Sequence, residues 1–362
     1  MKILMIARPN LYSSPGGDTT QIDMTAKHLR LLDIDVTIGL ADSINDYESF
    51  DLIHFFNIIR PDDILPFTQK SNKPYVISTI YVDYLEYEKN NRKGVLGFLF
   101  KTLTGGQIEY AKAIARWLIN GDKIKSRYYL IHGHKASIKK VLSKSNLLLP
   151  NSHNEYRRLT EYVKRQFNYK KVVNSIDATI FSNDVDRDER YNGHVLCVGR
   201  IEGRKNQLNL IKAMLGTNLN LTIIGKPSPN HLGYYEQCRS LAASSNNIHF
   251  IEHINHQELV KIYKAAKVHV LPSWFETTGL SSLEAGVMSC NIVVTKKGDT
   301  EEYFDDMAYY CDPDKIESIR TQVLAAHADD LNPKLKNYIL ENYTWSQTAA
   351  QTLDGYKEVL NK

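Results

Sequence analysis

A chain of 362 residues is too long for one ordinary domain, so two domains of ~150–200 residues are expected. Its 43% apolar and 24% charged residues match the balance of soluble globular proteins, and no apolar run reaches the ~18 residues of a membrane span. The opening KILMIA, interrupted soon after by Arg8 and Pro9, reads as a buried first strand and not as a secretory signal.

In chain order, the first half offers strand windows at 2–7, 35–40, 51–56, 74–79 and 146–151. Between the first two, Gly16-Gly17-Asp18 precedes TTQIDMTAKHLRLL, where Ile22, Ala26 and Leu29 recur at helical spacing. The second half repeats the pattern, with strand windows at 194–199, 221–225, 248–252, 268–273, 291–295 and 308–312 and helical windows between them. Short β-branched runs alternating with amphipathic helices predict an α/β fold with parallel sheets, one βαβ series in each half. The polar, aperiodic stretch 181–194 is the expected join, and TWSQTAAQTLDGYKEVL is a closing helix. Ligands of such sheets are held at the carboxyl ends of the strands.

The four cysteines, Cys197, Cys238, Cys290 and Cys311, have no CxxC spacing and no histidine at metal-ligand spacing. They read as buried free thiols in a reducing cytoplasm. Charge is uneven. Between Lys89 and Lys171 there are 19 Lys/Arg against 4 Asp/Glu, a balance of +15, which leaves −11 for the rest of a chain whose net charge is +4. A basic sector of this kind suits an anionic partner.

Chemistry concentrates in two stretches. In VGRIEGRKNQ, Arg200 and Lys205 follow directly on a predicted strand, where two cations suit a diphosphate; an exposed basic loop is the plainer alternative. In SWFETTGLSSLEAG, Thr278 and Gly279 precede a helix predicted to begin near Leu280. Its free amides and positive dipole end suit phosphate. Glu276 lies in the loop and Glu284 just inside the helix. Carboxylates beside a phosphate repel it, so their expected work is accepting hydrogen bonds from sugar hydroxyls, with an ordinary helix cap as the alternative.

Taken together, GRIEGRKNQ, LTIIG, PSWFETTGLSSLEAG, KGDTEEYF and AYYCDPD in the second half resemble glycosyltransferase family 4. The first half adds SSPGGDTTQ, DLIHFF, KPYVIST, LLLPNSHNEYRRL and VVNSIDATIF, the last similar to the family's domain-joining Asn-Gly-x-Asp element. The resemblance covers nearly the whole chain. It implies a GT-B fold: two Rossmann-like domains facing a central cleft, with a C-terminal helix crossing back to the N-terminal domain. Residues 1–174 with 345–362 would bind the acceptor, and 175–344 the nucleotide-sugar donor.

The resemblance also implies roles. Arg200 and Lys205 would neutralise the donor diphosphate as charge develops on the leaving group. Glu276 would bind hydroxyls of the transferred sugar, with Thr278, Gly279, Leu280 and Ser281 presenting amides near sugar and phosphate. Glu284 would bind the ribose hydroxyls. Gly16 and Gly17 would let backbone approach the phosphate on domain closure. Ile254 would lie beside the base, with Gly225 and Lys226 nearby, and Glu302 matches a family carboxylate, with Glu301 adjacent. The family is retaining. No carboxylate here qualifies as a covalent nucleophile, so front-face attack is expected, the acceptor hydroxyl losing its proton to the departing phosphate oxygen.

The chain departs from the pattern of the family it resembles in three places. A sugar-contacting histidine after the fourth strand is replaced in STIYVDYLEYE, leaving Asp83 as acceptor-side base or orienting group and Tyr81 as a wall, with His54 a further candidate. The family's glycine pair reads Lys297-Gly298, and the joining element reads Asn174-Ser175. Asp33-Ile34-Asp35 and Asp312-Pro313-Asp314 formally match Asp-x-Asp but read as turns, so no metal or other cofactor is expected beyond the co-substrate.

The expected partners are a nucleotide-diphosphate sugar, UDP-glucose first and GDP-mannose second, and a saccharide acceptor, with a polyprenyl-diphosphate-linked one as the candidate, in exopolysaccharide or envelope polysaccharide synthesis. The basic sector, with Val95, Leu96, Phe98, Leu99, Phe100, Trp117 and Tyr128, would suit an anionic membrane surface, or these residues would pack inside the first domain. Nucleic acid is not expected. The expected location is cytoplasmic, peripheral on the inner face of the membrane. Two rival readings are a sugar-nucleotide epimerase of the same fold and a catalytically silent partner subunit.

Overall fold

The structure, a computed structural model, describes residues 1–44, 46–91, 101–120, 123–181 and 185–361. It divides into two compact units, Met1–Asn174 with Trp345–Lys362, and Ser175–Thr344.

Unit one is built on β1 (Lys2–Ala7), β2 (Asp35–Leu40), β3 (Leu52–Phe56), β4 (Tyr75–Ser78) and β5 (Leu147–Leu148), parallel throughout, in the order β2-β1-β3-β4-β5. Its helices are α1 (Gly17–Arg30), α2 (Pro61–Ile64), α3 (Phe67–Lys70), α4 (Leu85–Asn91), α5 (Gly105–Asn120), α6 (Arg127–Leu142) and α7 (His153–Val163). Unit two is built on β6 (Val195–Val198), β7 (Leu221–Ile224), β8 (Ile248–Ile251), β9 (Val268–Leu271), β10 (Asn291–Thr295) and β11 (Tyr309–Cys311), in the parallel order β11-β10-β9-β6-β7-β8. Around it lie α8 (Gln207–Met214), α9 (Leu232–Ala242), α10 (His256–Ala265), α11 (Leu280–Val287), α12 (Thr300–Phe304), α13 (Ile316–Ala328) and α14 (Pro333–Asn342). The last helix, α15 (Trp345–Leu360), belongs to unit one.

These strands read as continuous apolar runs because parallel sheets are covered on both faces. Along β1, Ile3, Met5 and Ala7 join a core with Ile22, Ala26 and Leu29 of α1 and Ala349 and Tyr356 of α15. The alternate residues Leu4 and Ile6 join a second core with Ile138 and Val141 of α6 and Leu159 of α7. In unit two, Val195 and Cys197 of β6 pack with Leu210 of α8, Cys238 of α9 and Val323 of α13. All four cysteines are free and buried, and burial pushes each thiol up to about 12, so they act as packing groups.

The polar stretch 181–194 is not the join. The units meet in sequence at Asn174/Ser175 and Thr344/Trp345. The segment after Ser175 is tied into unit two: the Ile176 amide donates to the Tyr343 carbonyl, and buried Phe181 meets His256 and Tyr263 edge-on and tilted. Polarity alone is a weak boundary signal, because a polar loop on a domain surface has the same composition as a linker.

Candidate functional site

In unit two the loops after the strands converge on one another. After β6 the chain makes a short 3-10 turn at Gly203–Lys205, and Asn206, in the left-handed region (φ 63°), leads into α8. Asn206 Nδ2 donates to the carbonyls of Pro272 (3.0 Å) and Pro313 (2.8 Å), tying this loop to those after β9 and β11. The Trp274 amide donates to the Arg204 carbonyl at 2.9 Å. Buried Glu202 accepts from Arg204 at 3.0 and 3.1 Å and lies 3.9 Å from Arg200. Burial raises the Glu202 carboxyl, but the charges of Arg204 and Arg200 outweigh it and hold it below its ordinary range. The basic loop is thus internally tied before any ligand arrives.

Lys205 and Glu276 meet in this loop cluster. Lys205 Nζ lies 2.6 Å from Glu276 Oε2, which also accepts from Ser273 Oγ at 3.1 Å. The Glu276 backbone is clamped in turn. Its amide donates to the Lys297 carbonyl (3.0 Å), and its carbonyl accepts from the Asp299 amide (2.9 Å), a bridge centred on Gly298. Gly298 has φ 118°, and a Cβ there would lie 1.8 Å from the Glu276 carbonyl oxygen, so only glycine fits. Of the Lys297-Gly298 pair, Gly298 carries this close approach, while Lys297 stands over the Trp274 ring at 5.5 Å.

Gly279, also left-handed (φ 69°), caps α11, and its carbonyl receives the Ser282 and Leu283 amides. Thr278 is buried, while Leu280, Ser281 and Glu284 on the first turns are half-buried. Glu284 Oε2 accepts from Tyr263 Oη at 3.3 Å, and Oε1 faces His256 Nε2 at 3.7 Å. Gly225 follows β7 with its α-carbon against the Gly199 carbonyl, Lys226 is exposed, and Ile254 is half-buried between β8 and α10. Glu302 is half-buried on α12 with its carbonyl accepting from Tyr343 Oη, whereas Glu301 is exposed and 3.7 Å from Lys296.

In unit one, Gly16 and Gly17 open α1, and the Gly16 amide donates to Thr19 Oγ1 at 3.0 Å. Arg8 fixes the loop before them: it grips Asp18 through Nε (2.5 Å) and Nη2 (3.0 Å) and donates to the Ser14 carbonyl. Asp83 is exposed, its Oδ1 accepting from the Leu85 amide at the start of α4. Tyr81 packs on Tyr162, and burial raises both phenols.

His54 must be withdrawn as a site residue. It sits inside β3, fully buried, with Nδ1 2.6 Å from Tyr356 Oη and Nε2 2.9 Å from Ser78 Oγ, and burial lowers its pKa to about 3. It ties the sheet to α15. Asp33 lies in a left-handed turn (φ 59°), and Asp312 Oδ1 accepts from the Asp314 amide while Oδ2 pairs with Lys315 at 3.0 Å, the geometry of turns.

Four further residues acquire a role only in the folded chain. Asn206, Tyr263 and His256 carried no local signal, because their partners lie far along the chain. Glu155 did carry one: Ser152-x-x-Glu155 is a helix-start pattern, and Ser152 Oγ caps the Glu155 amide. Its buried carboxylate accepts from the amides of Asn151 and Tyr81 (2.9 Å each) and from Thr79 Oγ1, so it shapes the loop bearing Tyr81 and Asp83. Val95, Leu96, Phe98, Leu99 and Phe100 of the basic sector lie outside the described residues.

Residues 181–344 match the family model "Glycosyl transferases group 1". The O-antigen chain mannosyltransferase B of Escherichia coli is 25% identical over 181 residues, 46% of this chain and 46% of that relative. The chain thus spans about half the length of the relative it matches. Among solved structures, sucrose-phosphate synthase from Thermosynechococcus elongatus superposes with a TM-score of 0.77 at 13% identity, over 100% of this chain and 99% of that one. Anabaena Alr3699/HepE in complex with UDP-glucose does so with a TM-score of 0.69 at 12% identity, over 99% and 100%. The α/β architecture of two parallel-sheet units is the GT-B fold of these structures.

Proposed function

We propose that this chain is a retaining glycosyltransferase that moves a hexose from a nucleotide-diphosphate sugar, UDP-glucose first, to a saccharide acceptor. The observation that carries the reading is the Lys205–Glu276 ion pair, set beside the capped start of α11 with Glu284 inside it. A cation for phosphate, a carboxylate for sugar hydroxyls, a helix terminus and a carboxylate for ribose stand in one loop cluster of unit two. With ligand absent, Lys205 and Glu276 neutralise each other. On donor binding Lys205 and Arg200 turn to the diphosphate, and Glu276 accepts from the sugar. Thr278 to Ser281 hold sugar and phosphate, Ile254, Gly225 and Lys226 flank the base, and Glu302 lies behind the sugar.

The acceptor hydroxyl attacks from the face the diphosphate leaves, and its proton goes to the departing oxygen. Asp83 orients the acceptor. Two cations and a helix terminus supply the charge stabilisation, so no metal is required. The similarity to an O-antigen chain mannosyltransferase favours mannose as the alternative transferred sugar, with GDP-mannose the alternative donor to UDP-glucose. A silent partner subunit is disfavoured by the intact Arg200, Lys205, Glu276 and Glu284.

The test is a thermal-shift panel of nucleotide sugars in chelator. UDP-glucose at about 100 times its Kd raises apparent stability by about 2.7 kcal/mol. No shift with any nucleotide sugar, or a shift abolished by chelator, overturns the assignment.

A lipid-linked acceptor, at the inner face of the cytoplasmic membrane and in envelope polysaccharide assembly, is favoured by one further observation. On α5 and α6, Leu118 (69%), Ile119 (81%) and Ile131 (76%) stand in solvent among the exposed cations Arg116, Lys123 and Arg127. Exposed apolar side chains with cations nearby in sequence suit anionic headgroups. No helix among the described residues is long and apolar enough to cross a membrane. The expected result is co-sedimentation with phosphatidylglycerol vesicles but not phosphatidylcholine vesicles, lost at high salt and in the double variant Leu118→Ser, Ile119→Ser. Equal binding to both vesicle types, or to neither, removes this part.

A further inference from the structure

His256 and Tyr263 are seven residues apart on α10, two turns along one face, and both reach the carboxylate of Glu284 on α11. They take one oxygen each: Tyr263 Oη donates to Oε2 at 3.3 Å, and His256 Nε2 lies 3.7 Å from Oε1. The two holds differ in kind. Tyr263 is fully buried, and burial raises its phenol well above its ordinary value, so it stays a donor at every working pH. His256 is half exposed at the start of the helix, where the Asn255 side chain caps the Glu258 amide. The Phe181 ring meets it edge-on at 5.4 Å. Among the described residues the charges facing it are Glu284 on α11 and Asp177 on the segment entering unit two, both negative.

We propose that His256 is a positioning residue for the donor: its protonated ring fixes Glu284 for the ribose hydroxyls and adds a cation beside the anionic nucleotide. The proposal rests on Glu284 being the ribose carboxylate. The Glu284 carboxylate, 3.7 Å away, raises the His256 pKa, against a lowering by burial and with a smaller raising contribution from Asp177. The sign follows. A raised folded-state pKa means that the charged contact is complete below the ordinary histidine range and is lost as pH rises through the raised value. Two effects then act in one direction on raising the pH: Glu284 loses one of its two holds, and a positive charge near the diphosphate disappears. Donor affinity therefore falls as pH rises.

Two measurements test this. The first is titration with UDP-glucose and with GDP-mannose between about pH 5.5 and about pH 8.5, a window in which neither sugar diphosphate changes charge. Wild type weakens about fivefold across it. His256→Gln, which keeps a neutral donor, binds at every pH as wild type does at the alkaline end. The second is the NMR titration of the His256 ring in free protein: its pKa falls when Glu284 is replaced by Gln. An equal pH slope in wild type and His256→Gln, or a His256 pKa indifferent to Glu284→Gln, overturns the positioning role. If the ring responds to Glu284 while neither nucleotide sugar binds, the donor-site reading fails, and the positioning role falls with it.

Discussion

Replacement of Lys205 by methionine lowers kcat about 10²–10³-fold with folding intact, the loss expected when a charge-stabilising donor is removed from a developing oxyanion. The ammonium contributes twice. In the free protein it neutralises Glu276 at 2.6 Å, and in the proposed function it turns to the leaving diphosphate when donor binds. A methionine stem fills similar space and leaves the loop's other ties in place, Asn206 to Pro272 and Pro313 and Trp274 to Arg204. In the proposed donor complex the removal also exposes the diphosphate to the unopposed charge of Glu276, so the rate is expected to fall more than a lost contact alone implies. In a double-mutant cycle with Glu276→Gln, the two losses are non-additive because the side chains share one contact. Single-turnover kinetics and urea denaturation decide the case. A change confined to KM, or additive losses, would mean that Lys205 only anchors the loop.

Gly298→Ala is expected to destabilise unit two by about 2–4 kcal/mol and to lower kcat/KM about a hundredfold. The added methyl group meets backbone, not a flexible side chain: 1.8 Å from the Glu276 carbonyl oxygen, 2.8 Å from its carbon and 3.0 Å from its nitrogen. The φ of 118° adds strain of its own for any L-residue with a side chain. Relief requires the Glu276 loop to withdraw, which breaks its bonds to the Lys297 carbonyl and the Asp299 amide and moves the Glu276 carboxylate away from Lys205. The neighbouring Lys297→Gly is the control. It removes a side chain standing over Trp274 and leaves the backbone bridge in place. Thermal unfolding and initial rates on both variants separate the two positions, and equal behaviour would refute the clash.

Much of the fold was written locally. Residues 2–7 and 291–295 read as strands because a sheet covered on both faces selects unbroken apolar runs, and the start of α11 was readable because Gly279 is a helix-entry residue. The paired carboxylates Glu276 and Glu284 were visible as a spacing. Their partners were not. Lys205 meets Glu276 across 71 positions of sequence, and nothing in the composition of either stretch specifies that contact. His54 shows the reverse error: a histidine near the end of an apolar run looks available, but Tyr356 and Ser78 enclose it completely. The polar stretch 181–194 looked like a boundary because polarity marks solvent exposure, not separateness.

By itself the sequence determined periodicity, turn chemistry and charge, which depend on each residue and its near neighbours. From these follow two βαβ series, the loops at the strand ends, and the residue types fit for a sugar diphosphate. Only the tertiary structure decided which of those groups meet: Lys205 with Glu276, Tyr263 and His256 with Glu284, Gly298 with the Glu276 backbone, and Glu155 with the Tyr81 loop. The reason is geometric. Parallel strands joined by crossover helices bring loops from distant parts of the chain to one edge of a sheet, and the contacts made there have no local imprint.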